Sequence, residues 1–213
     1  MRKNLLYLLA ASVFVLAGCT STTTIYNPET ENSGFRSTHT VSADELKDFA
    51  AQALEDAFSS NSHFQAFLDN YKKEMNDANA RPILMLENAA NNTGDSGLDL
   101  DPLTNKLKEK LLNSNMVDVT MAVGADLLVS IGGSRTLDDD ANFDQSTVAK
   151  TGTLKAARLV MRPKASDVVT RDGSARDVVR TFTIDITDLK TGMVIWTFTR
   201  QYGFIKTRPA VGW

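Results

Sequence analysis

Val178-Val179-Arg180-Thr181-Phe182-Thr183-Ile184-Asp185-Ile186-Thr187 alternates polar and apolar residues with a period of two. Phe182, Ile184 and Ile186 fall on one side, and Thr181, Thr183 and Asp185 on the other. That is the pattern of a strand with one buried face. Arg171-Asp172-Gly173-Ser174 precedes it, and Asp-Gly accepts the positive φ that a tight hairpin requires. Lys190-Thr191-Gly192 follows as a second turn. Leu159–Val169 therefore reads as the preceding strand, bent or at a sheet edge at Pro163, since proline cannot donate to a ladder. Met193–Phe204 reads as the following strand, with Val194, Trp196, Phe198 and Tyr202 sharing a face. Together these residues predict an antiparallel meander.

Upstream of the meander, helices and short strands alternate. Ser42 and Glu45 stand in capping-box spacing. Leu46, Phe49, Ala50, Ala53, Leu54, Ala57 and Phe58 then recur at helical intervals and form one apolar stripe. Asn61 or Ser62 opens a second helix with the stripe Phe64, Phe67, Leu68, Tyr71 and Met75. Both stripes read as core. Arg81-Pro82 ends the helical region, and Ile83–Leu86 reads as a short buried strand. Asn88–Gly94 is a loop by composition. Asp101 and Pro102 predict a helix start as N-cap and first helical residue. Leu103, Leu107 and Leu111 line one face of that helix, which ends at Asn113–Asn115. Val117–Thr120 reads as another short strand.

Met121–Leu137 fits a helix through Val123, Leu127, Leu128 and Ile131, while Leu127–Ile131 alone fits a strand; the helix is the reading adopted. Asp138-Asp139-Asp140 is a solvated turn. Phe143–Leu154 reads as a helix with Asp144 as its cap. The fold class expected is α+β, a mixed and mainly antiparallel sheet packed against helices, with a C-terminal β-meander.

The N-terminus has a basic start, Arg2 and Lys3, then an apolar run from Leu5 to Leu16. That run is about a dozen residues, short of the roughly 20 needed for a spanning helix. Leu16-Ala17-Gly18-Cys19 closes it and resembles the lipobox of bacterial lipoproteins. Cys19 is the single cysteine of the 213 residues, so it has no disulfide partner within the chain. The resemblance implies cleavage between Gly18 and Cys19 and acylation of Cys19. Thr20 follows where an Asp would favour retention in the inner membrane, so the expected place is the outer membrane, periplasmic side. Residues 1–18 are thus expected to be a signal peptide and 19–41 a lipidated, disordered tether rich in Thr, Ser and Asn. Residues 42–213 are expected to form the globular domain, with N-terminal helices at 42–78.

Charge is unevenly distributed. Residues 150–213 hold 12 Lys/Arg against 5 Asp/Glu, whereas residues 20–149 hold 9 against 21. A basic C-terminal part suits an acidic partner. Arg162, Lys164, Arg171, Arg176 and Arg180 lie on the expected meander and are the candidate contact residues. No catalytic constellation is legible. His39 and His63 have no cysteine or carboxylate at metal-ligand spacing. No phosphate loop and no G-x-S-x-G is present. No cofactor, small-molecule substrate or nucleic acid is expected.

Several segments together resemble the LpoB-type activators of penicillin-binding proteins. These are Pro82–Leu86 followed by Asn91-Asn92-Thr93, Leu107–Val117, Phe143-Asp144 with Thr147–Lys150, and Asp188–Trp196. The same hairpin ending in Trp is similar to CsgG-like and TolB N-terminal-like domains. The resemblance implies a non-enzymatic outer-membrane lipoprotein. Such a protein binds a bifunctional peptidoglycan synthase, a penicillin-binding protein, and stimulates it. The family's tether is long and often Pro-rich, whereas this one is short with one proline, Pro28. The alternative class is a structural or assembly lipoprotein, such as an accessory subunit of an envelope secretion complex.

Overall fold

The computed structural model describes residues 41–207, apart from 121–124, 139, 149, 151 and 173–174. The expected signal peptide, Gly18, Cys19 and nearly all of the expected tether lie outside the described residues, as does the centre of the Asp172-Gly173 turn.

Helix α1 spans Ala43–Ala57. Its start is the reciprocal cap that Ser42 and Glu45 predict. The Ser42 hydroxyl accepts from the Glu45 N–H at 3.2 Å, and the Glu45 carboxylate accepts from the Ser42 N–H at 2.9 Å. Val41 and Leu46 stand at the two positions of a hydrophobic staple, and both belong to the buried cluster. Helix α2 spans His63–Glu74, and Ser62 caps it by accepting from the Gln65 N–H at 2.9 Å. Only Phe64 and Leu68 of its stripe are buried; Phe67 packs against the core and Met75 is exposed.

Strand β1 is Ile83–Leu86 and strand β2 is Ala90–Asn92. The second lies inside the stretch expected to be all loop. It exists because Ala90, Asn91 and Asn92 find register partners in Lys164, Ala165 and Ser166. Helix α3, Asp101–Ser114, starts one residue earlier than the Asp101 cap implies. Leu100 is the N-cap, without a side-chain cap bond, and Pro102 stands one place further in. The Asp99 carboxylate accepts from the Asp101 N–H at 2.9 Å in place of a cap. Asn115 ends the helix in the left-handed region at φ 59°, a conformation asparagine tolerates.

Strand β3 is Asp118–Thr120, and helix α4 is Ala125–Arg135. The helical alternative thus holds for the described part of Met121–Leu137. The expected helix over Phe143–Leu154 does not form. Asp144 instead makes an Asx turn, its carboxylate accepting from the Ser146 N–H at 2.9 Å. Gly152 sits at φ 82°, and both Phe143 and Leu154 are exposed. With no buried face to reward it, a short helix does not offset its nucleation cost.

Three long strands complete the chain: β4 (Leu159–Asp172), β5 (Ala175–Asp188) and β6 (Met193–Thr207). The sheet order is β3-β1-β4-β5-β6, with β2 also pairing β4. β1 runs parallel to β3 and β4, while β4, β5 and β6 form the antiparallel meander. The expected α+β mixed sheet is what the chain forms.

Pro163 is not at a sheet edge, because β4 is the central strand. It falls between the last β1 pair, Leu86 with Met161, and the first β2 pair, Ala90 with Lys164. The missing N–H thus sits at a seam in the parallel ladder. Val194 is also displaced from the buried face on which its spacing put it. The β5–β6 register shifts at Ile186/Thr187, where Trp196 faces Ile186 but Val194 faces Thr187. The extra residue, Ile195, reverses the alternation. Ile195 packs against the core and Val194 is exposed.

α1 and α3 pack together and bury Leu46, Phe49, Ala53, Leu103, Leu107 and Leu111 with one face of the sheet. Leu159, Met161, Ala165, Phe182, Ile184 and Ile186 supply that face. Phe49 lies at its centre, with ring centroids 5.6 Å from both Phe182 and Phe198. Met85 and Val160 are register partners and are buried too, although neither belongs to that cluster. Continuously buried parallel strands are the pattern expected for such a ladder.

Candidate partner-binding surface

The face of the meander opposite the helices is polar along its middle. Thr197 donates to Asp185 at 2.7 Å and Gln201 donates to Thr181 at 3.3 Å. Lys164 pairs with Asp185 at 3.3 Å, and Arg162 pairs with Glu87 at 3.2 Å. Both of these cations remain about half exposed, 54% and 46% for Arg162 and Lys164. They present charge to solvent while already holding an acidic neighbour.

Arg180 is placed differently from the other four candidates. Its side chain is 3% exposed. Its guanidinium makes two parallel bonds to the Asp167 carboxylate, at 2.8 and 3.0 Å, and reaches Asp95 at 3.3 Å. Its Cζ lies 5.8 Å from the centre of the Phe204 ring. The bonds to Asp167 first, and then those charges and Asp95, hold the guanidinium pKa above its ordinary value despite burial. Arg180 is therefore a tie inside the fold, not a solvent-facing contact. Asp95 reaches it because Asn91 organises the loop after β2. The Asn91 amide donates to the carbonyls of Asp95 at 2.9 Å and Leu98 at 3.1 Å, while its oxygen accepts from the Thr93 N–H at 3.0 Å.

Arg171 and Arg176 are exposed and stand opposite each other in the β4–β5 register. Lys206 is the β6 register partner of Arg176. Neither arginine has an acidic partner among the described residues. Like charges facing each other across strands are unfavourable, so this end of the sheet suits an anionic neighbour. Val168, Val169 and Ile205, at the same end, are exposed at 66%, 39% and 75%.

At the other end, the α1–α2 turn and the start of β6 enclose a hollow of about 510 Å³. Asp56, Ser59, Asn61, His63, Val194 and Trp196 are among its lining residues. The Trp196 indole N–H donates to Asp56 at 2.9 Å and so ties α1 to β6. His63 is exposed at the first position of α2. Among the described residues no group of His, Cys, Asp and Glu could hold a metal ion, and no helix is long and apolar enough to cross a membrane.

The sequence alone did not show Asp95 and Asp167 as the partners of Arg180, nor the hollow. A usable signal existed for one of them. Counting outward from a two-residue turn at Gly173–Ser174 sets Asp167 opposite Arg180, as the register has it.

The molecule is thus a small α+β domain in which α1 and α3 cover one face of the sheet and the meander is polar along the middle of the other. The sequence profile of the family described as peptidoglycan-synthase activator LpoB matches residues 48–201, from α1 through most of β6, and the chain belongs to that family. No curated protein matches the chain. Solved structures similar to it include the LpoB C-terminal domain from Escherichia coli, at 13% identity and TM-score 0.39, covering 74% of this chain and 98% of that one. The corresponding domain from Salmonella enterica has 14% identity and TM-score 0.36, covering 74% and 94%. The NMR structure of Escherichia coli LpoB has 14% identity and TM-score 0.36, covering 88% and 85%.

Proposed function

We propose that this protein binds a bifunctional peptidoglycan synthase, a penicillin-binding protein, and stimulates it without catalysing a reaction itself. The observation that carries this reading is the family match over residues 48–201, which spans the helices, the central strand and the meander. Stimulation requires tighter binding to the more active state of the synthase than to the less active one. Under this reading, acylated Cys19 holds the protein to the outer membrane on its periplasmic side. Arg162, Lys164, Arg171 and Arg176 offer the synthase exposed positive charge. Arg171 and Arg176 contribute most, because they have no acidic neighbour to displace.

The test is a glycan-polymerisation assay with the purified synthase of the same envelope, with and without the acylated protein. A several-fold rise in rate that saturates with added protein is expected. An unchanged rate, with a folded protein in excess, would sink the reading.

A further inference from the structure

β6 is the last strand of the sheet, and its outer side meets no other strand among the described residues. From Thr197 to Ile205 it pairs with β5 in unbroken register, beyond the shift at Ile186/Thr187. A row of unpaired N–H and C=O groups is a template for another chain, and natural edges are usually blunted. Common devices are proline, inward-pointing charge, a bulge or a very short strand. Here the bulge lies at the very start of β6, and the rest of the 15-residue strand contains no proline. Its charged residues are Arg200 and Lys206, with no Asp or Glu. Arg200 does point inward, on the face of its register partner Phe182, where it is turned to Gln52 on α1; no other such device is seen from Gln201 to Ile205. The opposite edge of the sheet, β3, has three residues.

We propose that the outer edge of β6, from Thr197 to Ile205, takes up an extended acidic segment of the synthase as an added strand. The inference rests on the synthase reading and locates its contact. Main-chain hydrogen bonds supply the affinity in such additions, and side-chain sites along the edge supply selectivity. Charge selects an acidic segment. β6 brings two cations and no acid, and Arg176 lies in register with Lys206. A second copy of β6 would add two more cations to the same edge. The hollow beside Val194 to Thr197 adjoins the start of this edge, and its 510 Å³ admits the end of one segment. Arg176, on the neighbouring strand, stands beside the other end.

The experiment is amide hydrogen exchange on the full acylated chain, alone and with the purified synthase, under conditions where stimulation is measured in parallel. Binding is expected to slow exchange over residues 197–205 by about tenfold or more, at alternate residues only, because the inward amides are already bonded to β5. Thr199→Pro and, separately, Arg200→Pro add a second readout. Of these two neighbours, the variant that keeps its melting temperature is the one whose N–H points outward. That variant is expected to lose stimulation about tenfold. Stimulation with unchanged exchange over 197–205 overturns the inference while leaving the synthase reading intact. Full stimulation by the well-folded proline variant does the same. Protection of this edge in the lone chain, with a doubled mass, assigns it to a second copy and also overturns it. Absence of any stimulation removes the synthase reading, and the inference with it.

Discussion

Arg180 and Asp167 meet across the β4–β5 pair through two parallel bonds, Nε to Oδ1 at 2.8 Å and Nη2 to Oδ2 at 3.0 Å. Both side chains are less than a tenth exposed. Replacing Arg180 with Met leaves the buried Asp167 charge without its main partner. Loss of one partner of a buried pair costs about 3–5 kcal/mol. The double variant R180M/D167L removes both charges and is expected to regain most of that loss. Denaturant midpoints for the single and double variants check this; equal midpoints for the two would refute it.

Arg158 and Asp188 form a second tie at the opposite end of the same hairpin, at 2.6 and 3.3 Å. The hydrogen bond from Arg158, then those from the Lys190 N–H and the Thr191 hydroxyl, hold the Asp188 carboxyl below its ordinary pKa against the opposing effect of burial. Its folded value lies below its unfolded value, which is about 3.9. The stabilisation is therefore complete above that value and is lost as pH falls through the folded value. Asp188→Asn should flatten the acid limb of a stability–pH curve below about pH 4. An acid limb unchanged in slope would show that other carboxylates govern it.

Phe49→Ala should destabilise the domain by about 3–5 kcal/mol, the usual cost of emptying a buried aromatic site. Val168→Ala, at a position 66% exposed, should change stability by less than about 0.5 kcal/mol. Thermal melting of both variants tests whether the apolar end of the hairpin is surface or core. A large loss for Val168→Ala would mean that another element covers it.

Arg171→Glu combined with Arg176→Glu should lower synthase affinity by about tenfold and reduce its salt sensitivity, with the melting temperature held or raised. The pair faces like charge across the strands, so reversal removes no ion pair among the described residues. Affinity titrations at two salt concentrations provide the check. An unaltered affinity would clear this end of the sheet of any role.

Local signals carried most of the fold. Ser42 and Glu45 declared a helix start that the structure realises bond for bond, and the alternation from Phe182 to Ile186 declared the buried face of β5. What escaped depended on distant partners or on one extra residue. β2 exists only because β4 lies beside it. Pro163 looked like an edge residue because a sequence does not show that β1 and β2 divide the ladder at that point. Ile195 reversed a face that strict alternation assigned to Val194. Phe143–Leu154 had helical spacing but nothing to pack against. At the surface, positive charge was legible but burial was not, so Arg180 resembled its exposed neighbours until register placed Asp167 opposite it.

The central position of β4 bears on how the chain reaches this state. Its partner on one side, β5, arrives through a tight hairpin, and β6 follows through another. Its partner on the other side must be brought from far away, since Leu84 and Leu159 pair across 75 residues. Closing so long a loop costs entropy before any contact repays it. The three C-terminal strands can therefore form early, exposing the apolar row of Met161, Ala165, Phe182 and Ile184 until α1, β1 and α3 arrive. During synthesis, the N-terminal half emerges first and waits for the strands that it is to cover. For that interval its Phe-bearing helices have no sheet, which makes the order of emergence a hazard that the topology itself creates.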